Sequence, residues 1–451
     1  MTRHGVKKPV FGFAVLALAL SGPFSAPAPA ASPAKISREE RVAYLKTHAV
    51  PVRSVDPEDT DFADLEPLRR VIGNRRIVML GEATHGDGST FSFKVRLIKF
   101  LHERQGFDVL ALESGLYDVP RVWSALKAGE DPLPTIRSGV MEDWADSLQV
   151  RPLWLYLAEQ LRSNSPLELA GFDLQFTGRA GGKKLTRDLS DYLTKAGLLP
   201  EAALLVARVS VPLNRLVNNI SLFQQIPPKD RPSIRTAMEK LGQALGQSPP
   251  LSGADGDERA YWIQLLKSSA TLMELAWSFD VSSLGKQPSS IFNLRDRQMG
   301  ENLVWLAKRA YPARRIIVWA GTSHIIRNHA SILNEADPVT SMGDWVEKEL
   351  GSEVYALGFT AYRGRYGELR TSELMDVKPP AENSLEDLFS KAGLDLAWLD
   401  LRDLAADGVW LREPISSRPV RFEPKTADWT RIMDGLFFIR DMRPGTWVET
   451  K

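Results

Sequence analysis

No cysteine occurs in the 451 residues, so disulfides, thiolate nucleophiles and Cys-ligated zinc or iron–sulfur centres are excluded together. Charge of either sign is not in excess. Lys and Arg number 57 against 56 Asp and Glu, a net charge of +1, which is not the basic field of a protein that tracks phosphate backbones. Nucleic acid is not an expected partner. Several catalytic signatures are also missing: there is no G-x-S-x-G elbow, no H-E-x-x-H, no Walker loop, and Gly86-Asp87-Gly88 lacks the third glycine of a dinucleotide turn. Long apolar runs are lacking too. The stretch Val10 to Leu20 is eleven residues, short of the ~20 that span a bilayer.

That short run has a different meaning in its setting. Arg3, Lys7 and Lys8 precede it, and a small-residue, Pro-rich stretch from Ser25 to Ala34 follows, with Ala28 and Ala30 as an A-x-A site. Residues 1–30 are expected to be a signal peptide cleaved before Ala31. The mature protein is then periplasmic or secreted, and holds to no membrane.

Beyond the leader, a hydrophobic share of 43% over this length is enough for a large core. Residues 31–60 read as a linker with a short helix, Arg38 to Lys46. Six apolar runs follow, too continuous for half-exposed strands: Ile77–Leu80, Val109–Leu112, Leu167–Ala170, Ile316–Ala320, Val354–Leu357 and Leu436–Ile439. Between the first two, Phe93, Leu97, Phe100 and Leu101 repeat at helical spacing before Gly106, which makes a βαβ unit. Residues 185–311 are helix-patterned throughout, with turn signals at Pro227-Pro228, Pro249-Pro250 and Gly285 to Ser290. The expected fold is α/β, a mostly parallel central sheet flanked by helices. Residues 61–184 and 312–451 form its catalytic domain, and a helical insertion interrupts it at 185–311.

In open α/β sheets, ligands bind beyond the carboxyl ends of the parallel strands. The residues there are Glu82 and His85 after the first run, Glu113 after the second, Asp173 and Gln175 after the third, and Thr322, Ser323 and His324 after the fourth. A neutral His can take a proton from water while a carboxylate fixes its tautomer and stabilises the imidazolium. Glu82 could hold either the His85 ring or the attacking water, with Glu113 on the next strand filling the other role. His324 could donate to an oxyanion or protonate a leaving alcohol. Any one of these residues is more often a cap or a satisfied structural group; their convergence on one sheet edge carries the functional reading. Lys94 falls on the apolar side of its helix and Arg96 about 200° round the wheel, so both cannot aim at one spot. Both are candidate substrate-binding residues, Lys94 being nearer the carboxylates. His48 and His102 read as surface residues.

Leu80-Gly81-Glu82-Ala83-Thr84-His85-Gly86, followed by Phe91, Lys94, Arg96-Leu97-Ile98, Phe100-Leu101, Gly106-Phe107 and Glu113, resembles the opening block of the erythromycin esterase family. Arg295-Asp296, Met299, Asn302, Ile317-Val318-Trp319-Ala320 and His324-Ile325 resemble its second block, and Asp434-Gly435 its last strand. The resemblance implies cofactor-free, metal-independent hydrolysis of a cyclic ester such as a macrolide lactone. His85 is then the general base, with Glu82 and Glu113 as its carboxylate partners. It also implies two second-block His, at positions 321 and 324. This chain carries Gly321 and keeps only His324. Two other readings remain open: a metal-dependent hydrolase using Glu82, His85, Glu113 and His324 as ligands, and a non-hydrolytic binding or polysaccharide-related protein on the same fold.

The leader makes a direct prediction. N-terminal sequencing of the protein exported by its native host should begin close to Ala31, and a cytoplasmic chain that retains Met1 would rule export out.

Overall fold

The computed structural model describes residues 36–178, 181–218, 223–248, 256–279, 288–332, 339–368 and 373–448. The expected leader and cleavage site lie outside the described residues. The first described element is the helix Arg38–His48, whose start is fixed by a capping box between Ser37 and Glu40.

All six apolar runs are strands of one sheet. They are β2 (Ile77–Leu80), β3 (Val109–Gly115), β4 (Glu168–Asp173), β5 (Ile316–Trp319), β6 (Val354–Gly367) and β11 (Gly435–Met442), paired in parallel in the order β11-β6-β2-β5-β3-β4. Their continuity has a simple cause: alternate residues enter two different cores. Val78, Leu80, Leu110, Leu112, Ile317 and Trp319 meet the helices Gly88–Gln105, Asp118–Lys127 and Arg151–Gln160. Ile77, Met79, Val109, Ala111, Ile316 and Val318 meet the helices that lie between β4 and β5 and the helix Met342–Leu350. With both faces covered, no position in these strands calls for a polar residue.

Three antiparallel strands complete a nine-stranded sheet. β8 (Leu396–Asp400) pairs with β11, β1 (Val50–Pro51) with β8, and β7 (Leu374–Val377) with the far end of β6. β1 therefore corrects the reading of residues 31–60 as linker, because Val50 and Pro51 close the sheet edge. β6 runs well past Leu357, and Tyr362 to Arg365 alternate half-buried and exposed as a half-covered strand does. A small hairpin of β9 (Ile415–Ser417) and β10 (Lys425–Ala427) stands apart.

Strand order also changes the neighbours. The βαβ unit suggests β3 beside β2, but β5 inserts between them. Helices Gly181–Lys195, Leu199–Asn218, Arg231–Gln247, Gly256–Ser278 and Ser289–Trp305 connect β4 to β5. They share the second core with the sheet.

Lys94 and Arg96 part company on the Gly88–Gln105 helix, as the wheel requires. Arg96 is not a substrate-binding residue. It is fully buried on the far side, forks onto both Asp64 oxygens at 2.7 and 2.9 Å, and donates to the carbonyls of Ser54, Asp59 and Asp61. It thus pins the 53–64 loop to the helix. His102 is likewise not a surface residue: it is 8% exposed and lies between the Tyr156 hydroxyl and the Ser165 carbonyl. Arg96→Ala should cost about 3–5 kcal/mol, because Asp64 and three carbonyls lose a buried cation. Urea denaturation measures this, and a loss under about 1 kcal/mol, typical of an exposed pair, would refute the anchoring role.

Candidate active site

The carboxyl ends of β2 and β5 approach so closely that a Cβ on Gly81 would lie 2.5 Å from Thr322 Oγ1, so only glycine fits there. The chain then turns sharply. Asp87 Oδ2 accepts the backbone N–H groups of Ala83 and Thr84, at 2.9 and 3.0 Å, folding residues 82–87 back on themselves. Thr84 Oγ1 lies 2.6 Å from Asp87 Oδ1 and 2.7 Å from the Gly367 carbonyl. One hydroxyl hydrogen cannot serve both acceptors. The geometry fits an Asp87 that keeps its proton and donates it to Thr84, and burial pushes its carboxyl up to about 7.

This turn brings Glu82 Oε1 within 2.8 Å of His85 Nδ1. The same carboxylate accepts from Trp144 Nε1 at 3.1 Å, Lys94 Nζ at 2.7 Å and Trp319 Nε1 at 2.8 Å. Four donors fill a carboxylate. Glu82 therefore holds the ring and has no oxygen lone pair left for water, which resolves the two roles open to it. Lys94 is wholly buried, its Nζ 4.0 Å above the Trp319 ring. Burial pulls its ammonium down to about 8 against the opposing pull of Glu82. No part of it reaches solvent, so Lys94 anchors Glu82 and does not bind substrate. The His85 side chain is 24% exposed, and its Nε2 has no partner among the described residues. Burial lowers its basicity, but the hydrogen bond and charge of Glu82, with the more distant charges of Glu113 and Asp143, leave it above 6.5.

A second charge cluster stands beside the first. Because β3 neighbours β5, Glu113 meets the β5 loop: its Oε2 accepts the Gly321 N–H at 2.9 Å, and its Oε1 lies 3.3 Å from His324 Nε2 and 2.9 Å from Arg295 Nη2. Glu113 is thus not a direct carboxylate partner of His85. His324 Nδ1 is 2.8 Å from Asp296 Oδ1. Burial opposes a charged ring, but Asp296 and Glu113 outweigh it and push His324 up to about 10. Both ring nitrogens thus carry protons and both are engaged. Asp173 holds Arg295 through Nη2 at 2.6 Å and Nε at 3.4 Å. Arg295 Nη1 faces only His324 Nε2, at 3.3 Å. A protonated nitrogen cannot accept, so that arm is left without an acceptor among the described residues.

The remaining candidates are dispersed. Ser323 lies half-buried beside Gly321. Thr322 is fully buried, its Oγ1 against Gly81, and so does not reach a substrate. Gln175 is exposed, tied to the site only through its backbone N–H to Asp173. Arg295 and Asp296 belong to the helix Ser289–Trp305, and their part in the site was visible only in the second-block resemblance; Trp144 and Asp143, in a short loop helix, left no pattern at all. The two-His, two-carboxylate ligand set does not form either. Among the described residues no group of three or more His, Asp or Glu side chains is placed to hold a metal ion, and the four residues make two separate pairs, Glu82 with His85 and Glu113 with His324.

The erythromycin esterase family model matches residues 102–441. The chain belongs to the erythromycin esterase family. It is 28% identical to YbfO of Bacillus subtilis (strain 168), a protein named as a hydrolase, over 96% of this chain and 95% of that one. It is 21% identical to erythromycin esterase type II of Escherichia coli over 88% of this chain and 96% of that one. The solved structure of a mutant of the erythromycin esterase EreC, in its open conformation, superposes over 89% of this chain and all of that one, with a TM-score of 0.66 and 17% identity, so the fold is shared. Membership supports a hydrolase, and it points to a small-molecule substrate.

His324 offers a test of this electrostatic reading. A ring raised from 6.5 to about 10 on folding contributes stability that is complete below pH 6.5 and drains away as pH rises towards 10. Unfolding free energies across that range should fall less steeply in His324→Gln than in the parent, and parallel curves would show that the ring is not held as a cation.

Proposed function

We propose that the chain is an exported hydrolase of carboxylic esters or lactones in which His85 takes the proton of the attacking water. The observation that carries this reading is the asymmetry of His85: Nδ1 is fixed by a saturated, buried carboxylate, while Nε2, at a partly exposed ring edge, has no partner among the described residues. Glu82 fixes the tautomer with the acceptor nitrogen outward and stabilises the imidazolium that forms. Arg295 Nη1, which has no acceptor among the described residues, supplies a donor for the oxyanion, and the His324 cation beside it adds to the field. Glu113 and Asp173 keep Arg295 in place, which makes them positioning residues. Export rests on the sequence of residues 1–30, and no cofactor enters the chemistry.

Gly321 sets the shape of this site. An ideal Cβ there would stand 3.7 Å from His85 Cε1, 3.5 Å from His324 Cδ2 and 3.6 Å from Ser323 Oγ, which is ordinary contact, and φ of −64° suits any residue. A side chain at 321 would thus sit between the two imidazoles. Its absence opens a gap there for an acyl group and removes a donor typically worth ~10²–10³ in turnover.

On an activated aryl ester the parent should turn over measurably, and His85→Ala should lose about 10²–10⁴ in rate. Wild-type rates in that variant would place the base elsewhere. On erythromycin the parent should be weak and Gly321→His faster; efficient macrolide hydrolysis by the parent would overturn the role given to Gly321, as would a folded Gly321→His with no gain on either substrate.

A further inference from the structure

An ester hydrolase needs a proton for the alcohol that leaves as well as a base for water, and the protein's second histidine is ill suited to give one. Both nitrogens of His324 already donate to carboxylates, and a ring held near 10 surrenders a proton reluctantly. His85 carries a proton on Nε2 only after it has taken one from water, so an acid in place from the start would spare it that second task. A third group stands close by. Asp143 is 5% exposed, and its Oδ1 is buried without a hydrogen-bond partner among the described residues, which costs a carboxylate more than a neutral carboxyl group.

The loop around it is firmly placed against both charge clusters. Two residues before, the Met141 N–H donates to Ser114 Oγ, next in chain to Glu113. One residue after, Trp144 donates to Glu82 and sets its ring edge-on to His85, centroids 5.7 Å apart. The Asp143 carbonyl accepts from Trp447 Nε1, and the same C-terminal segment reaches the catalytic turn through the Gly445 N–H to the Gly86 carbonyl, at 2.8 Å. The charged groups that act on Asp143 are His85, Glu142 and Glu82; burial, the largest influence, raises its carboxyl, and His85 opposes it. His85 in turn feels Asp143 along with Glu82 and Glu113.

We propose that Asp143 is the acid of the reaction, giving its proton to the departing alkoxide, so that the site is built for esters of unactivated alcohols. The proposal rests on the ester reading above. Water loses a proton to His85 Nε2 and its oxygen bonds to the acyl carbon. The bond from that carbon to the alcohol oxygen breaks, and the oxygen takes the Asp143 proton. The His85 proton then passes to Asp143, which restores both groups, and the acid product ionises into solvent. The active form of the pair carries one proton in total: two leave no base, and none leaves no acid.

Leaving groups separate this role from a structural one. An aryl alkoxide departs without help, and an alkyl alkoxide does not, so two esters with the same acyl group and different alcohols are the probes. Asp143→Asn keeps the shape, and should lower kcat/KM on the alkyl ester ~10²-fold or more beyond any loss on the aryl ester. In the parent, with no mutation, the alkyl ester should give a bell-shaped pH dependence of kcat/KM, and the aryl ester a profile that rises to an alkaline plateau. Equal losses on both esters in Asp143→Asn, or matching pH profiles in the parent, would overturn the assignment. A parent that hydrolyses neither ester would instead overturn the ester reading on which it stands.

Discussion

The buried carboxylate of Glu82 is the constraint on which the catalytic end of the sheet depends. A carboxylate taken out of water requires replacement donors, and here they come from four places in the chain: His85 on its own turn, Lys94 on the following helix, Trp144 on the loop after β3, and Trp319 on β5. Each donor that satisfies Glu82 is itself located by it. The His85 ring can point one way only, the Lys94 ammonium is tolerated in a dry interior, and the two indoles hold the β3 loop and β5 in register with β2. Removing the carboxylate would strand a buried lysine and free the histidine at once.

Two clusters built on this plan divide the labour by the state of their histidines. His85 has one carboxylate contact and one free nitrogen, so it can cycle between neutral and charged forms. His324 has carboxylates at both nitrogens and remains a cation through the neutral range. The same residue type thus serves as a movable proton site in one position and a fixed charge in the other, decided by the number of carboxylates in reach.

How much of this could be read from the residues follows from the physics of each feature. The six parallel strands were legible because a strand covered on both faces must be apolar throughout. β1, β7 and β8 were not: β1 and β7 are short antiparallel edge strands that leave no such run, and β8, between β1 and β11, buries only Ala397, Trp398 and Leu399. Glu82, His85, Glu113 and His324 were found by their place after apolar runs. Their partnership was not, because it depends on strand order. With β5 between β2 and β3, Glu113 reaches Gly321 and His324 and has no hydrogen bond to His85. Arg96 and Thr322 were misassigned for a related reason: a helix wheel or strand end gives direction but not what waits there, and for these two it was a loop and a neighbouring strand.

The balance of charge at the site favours the turnover it is proposed to perform. Glu82, Glu113, Asp173 and Asp296 face Lys94, Arg295 and His324, so one negative charge is left over in a region of low dielectric. That surplus supports the raised basicity of His85. It also acts differently on the two ends of an ester hydrolysis. The substrate is neutral and feels no net repulsion. The acid product, once ionised, is a carboxylate among carboxylates, and Coulomb repulsion at an effective ε near 20 amounts to about 2 kcal/mol at ~8 Å. Arg295 Nη1 is the donor nearest to hand, and that guanidinium is already held by Glu113 and Asp173. A single free donor can stabilise an oxyanion that exists briefly beside the imidazolium of His85, yet hold a carboxylate only weakly once that imidazolium has lost its proton. The same arrangement therefore binds charge while the reaction needs it and lets go of it afterwards.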